Sequence, residues 1–254
     1  LFLKEDIDEQ KRTQGIDQYD TSTPLNAILV RAPPLHQGED CYGSYFVFRK
    51  LEQNVKGFKN REKELAKALK LEEEEEERAG ALSVGRFEDG TPATLQFNDG
   101  MHNPEFNNFN YRNDHAGSKC PIHAHIRKVN SREQTVEERA MRITRRGITY
   151  GKRRKDLKDQ PEKNVGLLFM CFQADIEQQF EHLQIRANDT ADGLDPIIGQ
   201  TKDRKKPAPQ KWPTKWADKD RETSPFVFYD FVTLKGGEYF FAPSISFFKN
   251  IDHL

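Results

Sequence analysis

The sequence is poor in sulphur, since its 254 residues include three cysteines and three methionines. The cysteines are widely spaced and form no Cys-x-x-Cys pair, which argues against a disulfide framework and a zinc site and favours a reducing compartment. No apolar run approaches the roughly 18 residues that cross a membrane. The first residues show neither the basic nor the apolar region of an export signal. We therefore expect a cytoplasmic protein that has no membrane partner.

The sequence also lacks an excess of charge of either sign. The lysines and arginines number 40 and the aspartates and glutamates number 41, so the formal net charge is -1. This balance provides no field that would attract nucleic acid, and we expect no nucleic-acid partner. What is abundant is aromatic core material, because the chain has 18 phenylalanines and seven tyrosines. A chain of this length can bury a substantial core.

Aromatic and apolar runs alternate with helix-forming segments along the chain. Residues 1–40 are interpreted as an extended lead-in or interdomain segment, and residues 41–254 as one domain. Within that domain the order is roughly strand, helix, strand, strand, helix, strand, which is typical of a ferredoxin-like α+β unit with an antiparallel sheet and flanking helices. The patterns predict strands over 42–51 and 165–172, helices over 56–78 and 174–183, an exposed loop over 201–225 and strand-like runs over 226–248.

His125 is the first candidate functional residue. It lies between Ala124 and Ile126, so an imidazole is presented from apolar surroundings. A haem iron takes such a neutral nitrogen as its axial ligand, whereas a buried, hydrogen-bonded histidine is the ordinary alternative. If this segment is extended, His123 shares a face with His125 and suggests a paired metal site. No third ligand is at hand, however, and zinc sites need three or four.

An arginine pair and an apolar strand follow. Arg145 and Arg146 precede a glycine, and one of them could polarise a bound peroxide, although exposed charge is the usual role of such a pair. Leu167 and Phe169 could form a dry wall over a porphyrin, or they could belong to an ordinary core strand.

The ordered combination of these segments is more specific than any one of them. Residues 120–128 read Cys-Pro-Ile-His-Ala-His-Ile-Arg-Lys, and residues 145–151 read Arg-Arg-Gly-Ile-Thr-Tyr-Gly. Residues 166–180 read Gly-Leu-Leu-Phe-Met-Cys-Phe-Gln-Ala-Asp-Ile-Glu-Gln-Gln-Phe. Residues 195–199 and 236–244 add two further stretches to this ordered set. From about residue 42 to its C-terminus, the chain closely resembles the dye-decolorizing (DyP-type) haem peroxidases.

This resemblance implies a fold, a cofactor and an activity. The fold would be of the dimeric α+β barrel type, and the chain would be the C-terminal, haem-binding half of a two-domain peroxidase. The cofactor would be haem b (iron protoporphyrin IX). The activity would be the reduction of hydrogen peroxide coupled to the oxidation of organic donors such as dyes and phenols.

The resemblance also implies roles for five residues. His125 matches the proximal ligand of the haem iron. Arg145, rather than its neighbour, matches the catalytic distal arginine. Leu167 and Phe169 match the apolar residues that line the distal face of the haem. Asp195 matches the carboxylate that hydrogen-bonds the proximal histidine, which would favour high-valent iron.

The family's distal acid is the point at which this sequence departs from the pattern. The acid lies in a Gly-x-x-Asp-Gly motif, but Asp89 has the wrong spacing from Gly85, and Asp99 has Gln96 where the first glycine should be. We interpret both aspartates as turn residues. The motif is then expected upstream of Leu1, in a missing first ferredoxin-like domain. The alternatives are a haem-binding module without turnover and an interaction domain that has lost haem. The partner would be that N-terminal domain or a second copy of the chain.

Overall fold

The computed structural model describes residues 23–32, 41–102, 106–132, 135–152, 160–201 and 207–251. Of the predicted lead-in over 1–40, residues 1–22 and 33–40 therefore lie outside the described part. The strands are β1 (Val30–Ala32), β2 (Cys41–Gln53), β3 (Thr144–Arg145), β4 (Ile148–Tyr150), β5 (Gly166–Gln173), β6 (Gln210–Pro213), β7 (Thr223–Phe226) and β8 (Val232–Ala242). The α-helices are α1 (Val55–Leu69), α2 (Glu76–Val84), α3 (His125–Val129), α4 (Val136–Ala140), α5 (His182–Asn188) and α6 (Ile245–Lys249).

The chain divides into two compact units. Of the described residues, unit 1 takes in residue 23 and those within 61–134 and 187–229, and unit 2 takes in those within 24–60, 135–186 and 230–254. None of the helices in the described part combines the length and the apolar character that a membrane crossing requires. The single boundary near residue 40 stays a prediction.

Unit 2 is built on a sheet of six antiparallel strands. β2 pairs with β8 on one side and with β5 on the other, and β5 in turn pairs with β3 and β4. The short β1 pairs with the first residues of β2. The four positions across the sheet are thus filled by the last, first, third and second of its main strands, which is the arrangement that a βαββαβ chain gives. The predicted α+β class with a ferredoxin-like antiparallel sheet is confirmed.

The core of unit 2 forms on one face of this sheet. Val47 of β2 lies opposite Cys171 of β5, and both are completely buried. Phe180, which is 6% exposed, packs with them. Phe180 belongs to a single π-helical stretch, Ile176–Glu181, that precedes α5. Phe169 and Ile143 pack against the same three residues. The apolar run over 165–172 is therefore a strand, as the sequence predicts, but Cys171 and Gln173 are its buried members and the other residues of β5 are partly buried.

Unit 1 has its own aromatic core. The buried members are Ala81, Phe87, Ala93, Phe109, Tyr111, Cys120 and Ala124. A second buried group surrounds Trp212, which lies in β6 and is fully buried in the predicted exposed loop. Its indole Nε1 donates a hydrogen bond to the carbonyl of Phe226 at 3.0 Å. The β6–β7 hairpin forms because burying this indole outweighs the lysine- and proline-rich composition around it.

The helix predicted over 56–78 is two helices. α1 ends at Leu69, and Lys70 adopts a left-handed backbone with φ of 56°. Glu72 then caps a short 3-10 turn, Glu73–Glu75, in a reciprocal capping box with Glu75, and α2 follows. Like charges three or four residues apart destabilise a continuous helix, which explains why the run of glutamates marks a break.

Candidate functional site

His125 is the first residue of α3. Ala124 precedes it with an extended backbone and supplies no side-chain cap, while its carbonyl accepts the N–H groups of Arg127 and Lys128. The imidazole is 17% exposed, and its Nδ1 lies 2.8 Å from Oδ2 of Asp195. The structure thus brings together the two residues that the resemblance pairs, from positions 70 apart in the chain.

Asp195 is held rigidly by its own segment. Its side chain has no exposure to solvent, and Oδ1 accepts the backbone N–H groups of Ile197 and Ile198 at 2.8 and 3.0 Å. Its backbone N–H donates to the carbonyl of Ala187, and its carbonyl accepts the N–H of Gly199. Both carboxylate oxygens are therefore committed as acceptors.

This arrangement fixes the tautomer of His125. An ionised carboxylate only accepts hydrogen bonds, so Nδ1 of the imidazole must carry the proton that points at Asp195. In the neutral imidazole Nε2 then keeps its lone pair, and no residue in the described part of the chain hydrogen-bonds to that nitrogen. A neutral imidazole whose other nitrogen donates to a carboxylate is a common form of histidine ligand to a metal.

A buried ion pair also lies in the same unit, and the sequence reasoning missed it. Arg127 is 7% exposed and Asp114 is 4% exposed. Nη1 of the arginine donates to Oδ2 of the aspartate at 2.9 Å, and Nη2 donates to the aspartate's carbonyl oxygen at 2.7 Å. The only available signal was that Arg127 follows His125 by two residues, which does not distinguish a buried arginine from an exposed one.

His123 does not share a face with His125, because the chain turns into a helix at residue 125 instead of staying extended. Its imidazole is buried against Trp212, with ring centroids 4.5 Å apart, and its Nε2 has no hydrogen-bond partner among the described residues. Burial, aided by the positive charge of Lys128, lowers the pKa of His123 to about 3. Across the described residues, no group of three His, Cys, Asp or Glu side chains could hold a metal ion. The paired-histidine metal site is therefore not formed.

Three further predicted site residues lie in unit 2. Leu167 and Phe169 alternate along β5 and so share a face of the sheet with Cys171. Arg145 in β3 lies directly opposite Cys171, which places the guanidinium on that same face. It is exposed and has no ion-pair partner in the described part of the chain. Burial raises the pKa of the Cys171 thiol to about 12, so this cysteine stays protonated.

The two aspartates considered for the distal acid differ in their contacts. Asp89 accepts hydrogen bonds from the N–H groups of Thr91 and Gly100 and from the Thr91 hydroxyl, which is turn chemistry. Asp99 is exposed in a bend nearby. The roles of His125, Arg145, Leu167, Phe169 and Asp195 toward a haem remain predictions.

Comparison with known proteins places these features in a family. The family model described as "Dyp-type peroxidase, C-terminal" matches residues 20–204. The chain is 46% identical over 273 aligned residues to the multifunctional dye peroxidase DyP2 of an Amycolatopsis species, covering 99% of this chain and 58% of that protein. It is 32% identical over 238 aligned residues to the dye-decolorizing peroxidase AauDyP1 of Auricularia auricula-judae, covering 80% of this chain and 45% of that protein.

Solved structures agree with the sequence comparison. The structure of DyP2 from Amycolatopsis superposes with a TM-score of 0.86 at 45% identity, covering 98% of this chain and 58% of that one. A DyP-type peroxidase from Anabaena superposes with a TM-score of 0.85 at 44% identity, covering 99% of this chain and 55% of that one. The chain thus spans about half the length of the relatives that it matches. Peroxidases of this kind depend on haem, and the chain belongs to the Dyp-type peroxidases, matching their C-terminal part.

Proposed function

We propose that this chain forms the haem-binding portion of a peroxidase that uses haem b to reduce hydrogen peroxide and to oxidise organic donors such as dyes and phenols. The observation that carries the proposal is the pairing of His125 with the fully buried carboxylate of Asp195. The family supplies the type of reaction, and the pairing supplies a ligand suited to iron.

The residues around His125 fit a bound haem. Nε2 of the imidazole is the atom that could coordinate the iron, and its lone pair is kept available because Nδ1 donates a hydrogen bond to Asp195. The carboxylate increases the basicity of the imidazole and holds the ring in one orientation. When bound, haem supplies the redox chemistry, while the protein supplies the ligand and its electrostatic surroundings.

Arg145 is proposed as the catalytic arginine. Its guanidinium is always charged and presents five N–H donors, which suits it to hydrogen-bond a peroxide and to stabilise the negative charge that develops as the O–O bond breaks. Leu167 and Phe169 are proposed to exclude water on the peroxide side, because their side chains are apolar and project from the same face of β5. One molecule of peroxide accepts two electrons, so two one-electron oxidations of the donor complete each turnover.

A second candidate is a haem-binding module without turnover. It is favoured by the two aspartates, because both oxygens of Asp89 accept hydrogen bonds within a turn and Asp99 lies exposed in a bend. Neither aspartate is thus suited to exchange a proton with a bound peroxide.

Reconstitution with hemin tests both candidates. We expect a Soret band that is lost in His125→Ala, and peroxide-dependent bleaching of an anthraquinone dye that falls sharply in Arg145→Ala. Arg146→Ala is the matched control, since Arg146 is the adjacent exposed arginine and its backbone N–H already donates to Met170. A Soret band without bleaching would favour the module without turnover. Absence of the band, or its persistence in His125→Ala, would refute the haem proposal.

A further inference from the structure

The buried pair of Arg127 and Asp114 holds the backbone on which His125 stands. The guanidinium is fixed at three points: Oδ2 of Asp114 at 2.9 Å, the carbonyl oxygen of Asp114 at 2.7 Å and the carbonyl oxygen of Cys120 at 2.5 Å. It also lies over the ring of Tyr111, 4.4 Å from the centroid. A planar fork held at several points permits little rotation.

The helix that carries His125 needs such an anchor. α3 has five residues and no side-chain hydrogen bond at its N-terminus. Helices of this length are unstable on their own, because too few hydrogen bonds offset the cost of nucleation. Arg127 follows His125 by two residues, so fixing its side chain fixes the helix one half-turn from the imidazole.

The other end of the anchor is equally well fixed. Oδ1 of Asp114 accepts hydrogen bonds from the hydroxyl of Ser118 and the N–H of Lys119, and Oδ2 also accepts the N–H of Cys120. These bonds close the segment 114–120, and five residues later the chain reaches His125. The backbone is therefore pinned on both sides of the histidine.

We propose that Arg127 and Asp114 are positioning residues for His125, which keep its Nδ1 aligned with Asp195 and its Nε2 aimed at the iron. The part of this inference that concerns iron rests on the proposed function. A buried ion pair is weak evidence for a purely stabilising role, because desolvation offsets most of the attraction between the charges. Precise placement of the helix is the effect that three convergent hydrogen bonds do provide.

The first test uses the haem-free 254-residue chain. The proton on Nδ1 of His125 is expected to give a slowly exchanging, downfield NMR signal, assigned by its loss in His125→Gln. Arg127→Lys keeps the charge but cannot reach three acceptors in one plane, so this signal should broaden or disappear. Asp114→Asn tests the same anchor from the other side.

Arg86→Lys is the matched control. Arg86 lies in the same unit, donates to the carbonyl of Gly90 at 2.7 Å and to the side chain of Asn107 at 2.6 Å, and stands over the ring of Phe109. None of these three contacts involves a residue of the helix that carries His125. The Nδ1 signal of His125 should be unchanged in this variant.

The second test uses the hemin-loaded chain. Arg127→Lys should weaken hemin binding by about tenfold, the lower end of the range for residues that support a metal ligand. It should also shift the iron–histidine stretching band of the reduced protein, whereas Arg86→Lys should change neither. A purely structural role would lower the melting temperature without moving that band.

The outcomes separate the two proposals. If hemin binds the wild type through His125, but Arg127→Lys and Asp114→Asn match it in the NMR signal, affinity and stretching band, the positioning role is refuted and the haem proposal stands. If hemin does not bind through His125, the haem proposal fails and the NMR experiment alone decides the alignment with Asp195. If both variants fail to fold while the control folds, the pair is a scaffold and the positioning role is refuted.

Discussion

Replacing Asp195 with asparagine should weaken hemin binding by reversing the hydrogen bond to His125. Oδ1 already accepts two backbone N–H groups, from Ile197 and Ile198, so the oxygen of the new amide will stay there. The NH2 group then faces Nδ1 of the imidazole, 2.8 Å away in the native pair. An amide nitrogen only donates, so Nδ1 must accept and the ring proton must move to Nε2. The nitrogen proposed to bind iron thereby loses its lone pair.

The size of the effect follows from the burial of the pair. To restore the ligating tautomer, the variant must leave two N–H groups facing each other at a position where residue 195 has no exposure to solvent. An unsatisfied buried polar group costs about 1–3 kcal/mol. Each 1.4 kcal/mol is a tenfold change in affinity, so hemin should bind about 5- to 140-fold more weakly.

The assay is a hemin titration followed by the Soret band, with Asp89→Asn as the control. Asp89 is also a turn carboxylate that accepts two backbone N–H groups, and its hydrogen-bond partners among the described residues are Thr91 and Gly100. Asp89→Asn should leave the affinity for hemin unchanged. If Asp195→Asn binds hemin as tightly as the wild type and with the same spectrum, the tautomer argument is refuted.

Three further predictions concern the surroundings of this pair. Burial lowers the pKa of His123 to about 3 from an ordinary 6.5, so the unfolded chain binds a proton in this window that the folded chain does not. The free energy of unfolding, measured in urea melts, should therefore fall as pH falls from 6.5 to about 3. The contribution of His123 to this slope should approach about 1.4 kcal/mol per pH unit, and His123→Phe should remove it. Gly193→Ala should cost more stability than Gly100→Ala, although both glycines have positive φ. The new methyl group would lie 3.2 Å from His123 at position 193 but in open space at position 100, so equal losses of stability would contradict the argument. Trp212→Ala should cost about 3–5 kcal/mol in the same melts and Trp216→Ala clearly less, since only Trp212 is fully buried.

The framework of the sheet could be predicted from the sequence because its strands are long and strongly patterned. The aromatic run over 42–51 and the apolar run over 165–172 each became a strand, β2 and β5, within two residues of the predicted ends. The break at Lys70 could not be predicted in this way. It depends on one backbone conformation and on a capping box among adjacent glutamates, which helix propensity does not distinguish from a continuing helix.

The site was less predictable from residues alone. The apolar neighbours of His125 suggested a ligand, but they gave no information about its partner, and Asp195 was named only through the resemblance to a family. The pair of Asp114 and Arg127 left no recognisable signal. Among 40 basic and 41 acidic side chains, composition does not reveal which two will be desolvated together. Burial of a charge is decided by tertiary packing, and no local pattern encodes it.

The distance in sequence between His125 and Asp195 has a consequence for when the pair can form. Contacts between residues 70 apart require closure of a long loop, and the entropy lost in that closure must be offset by other contacts made at the same time. The imidazole proton is thus held on Nδ1 only when the unit is completely folded. A peptide spanning residues 120–130 would contain the histidine, but its ring would exchange freely between tautomers. We therefore expect the alignment of His125 with Asp195 to require both segments to be folded, and to be lost under any condition that loosens either segment.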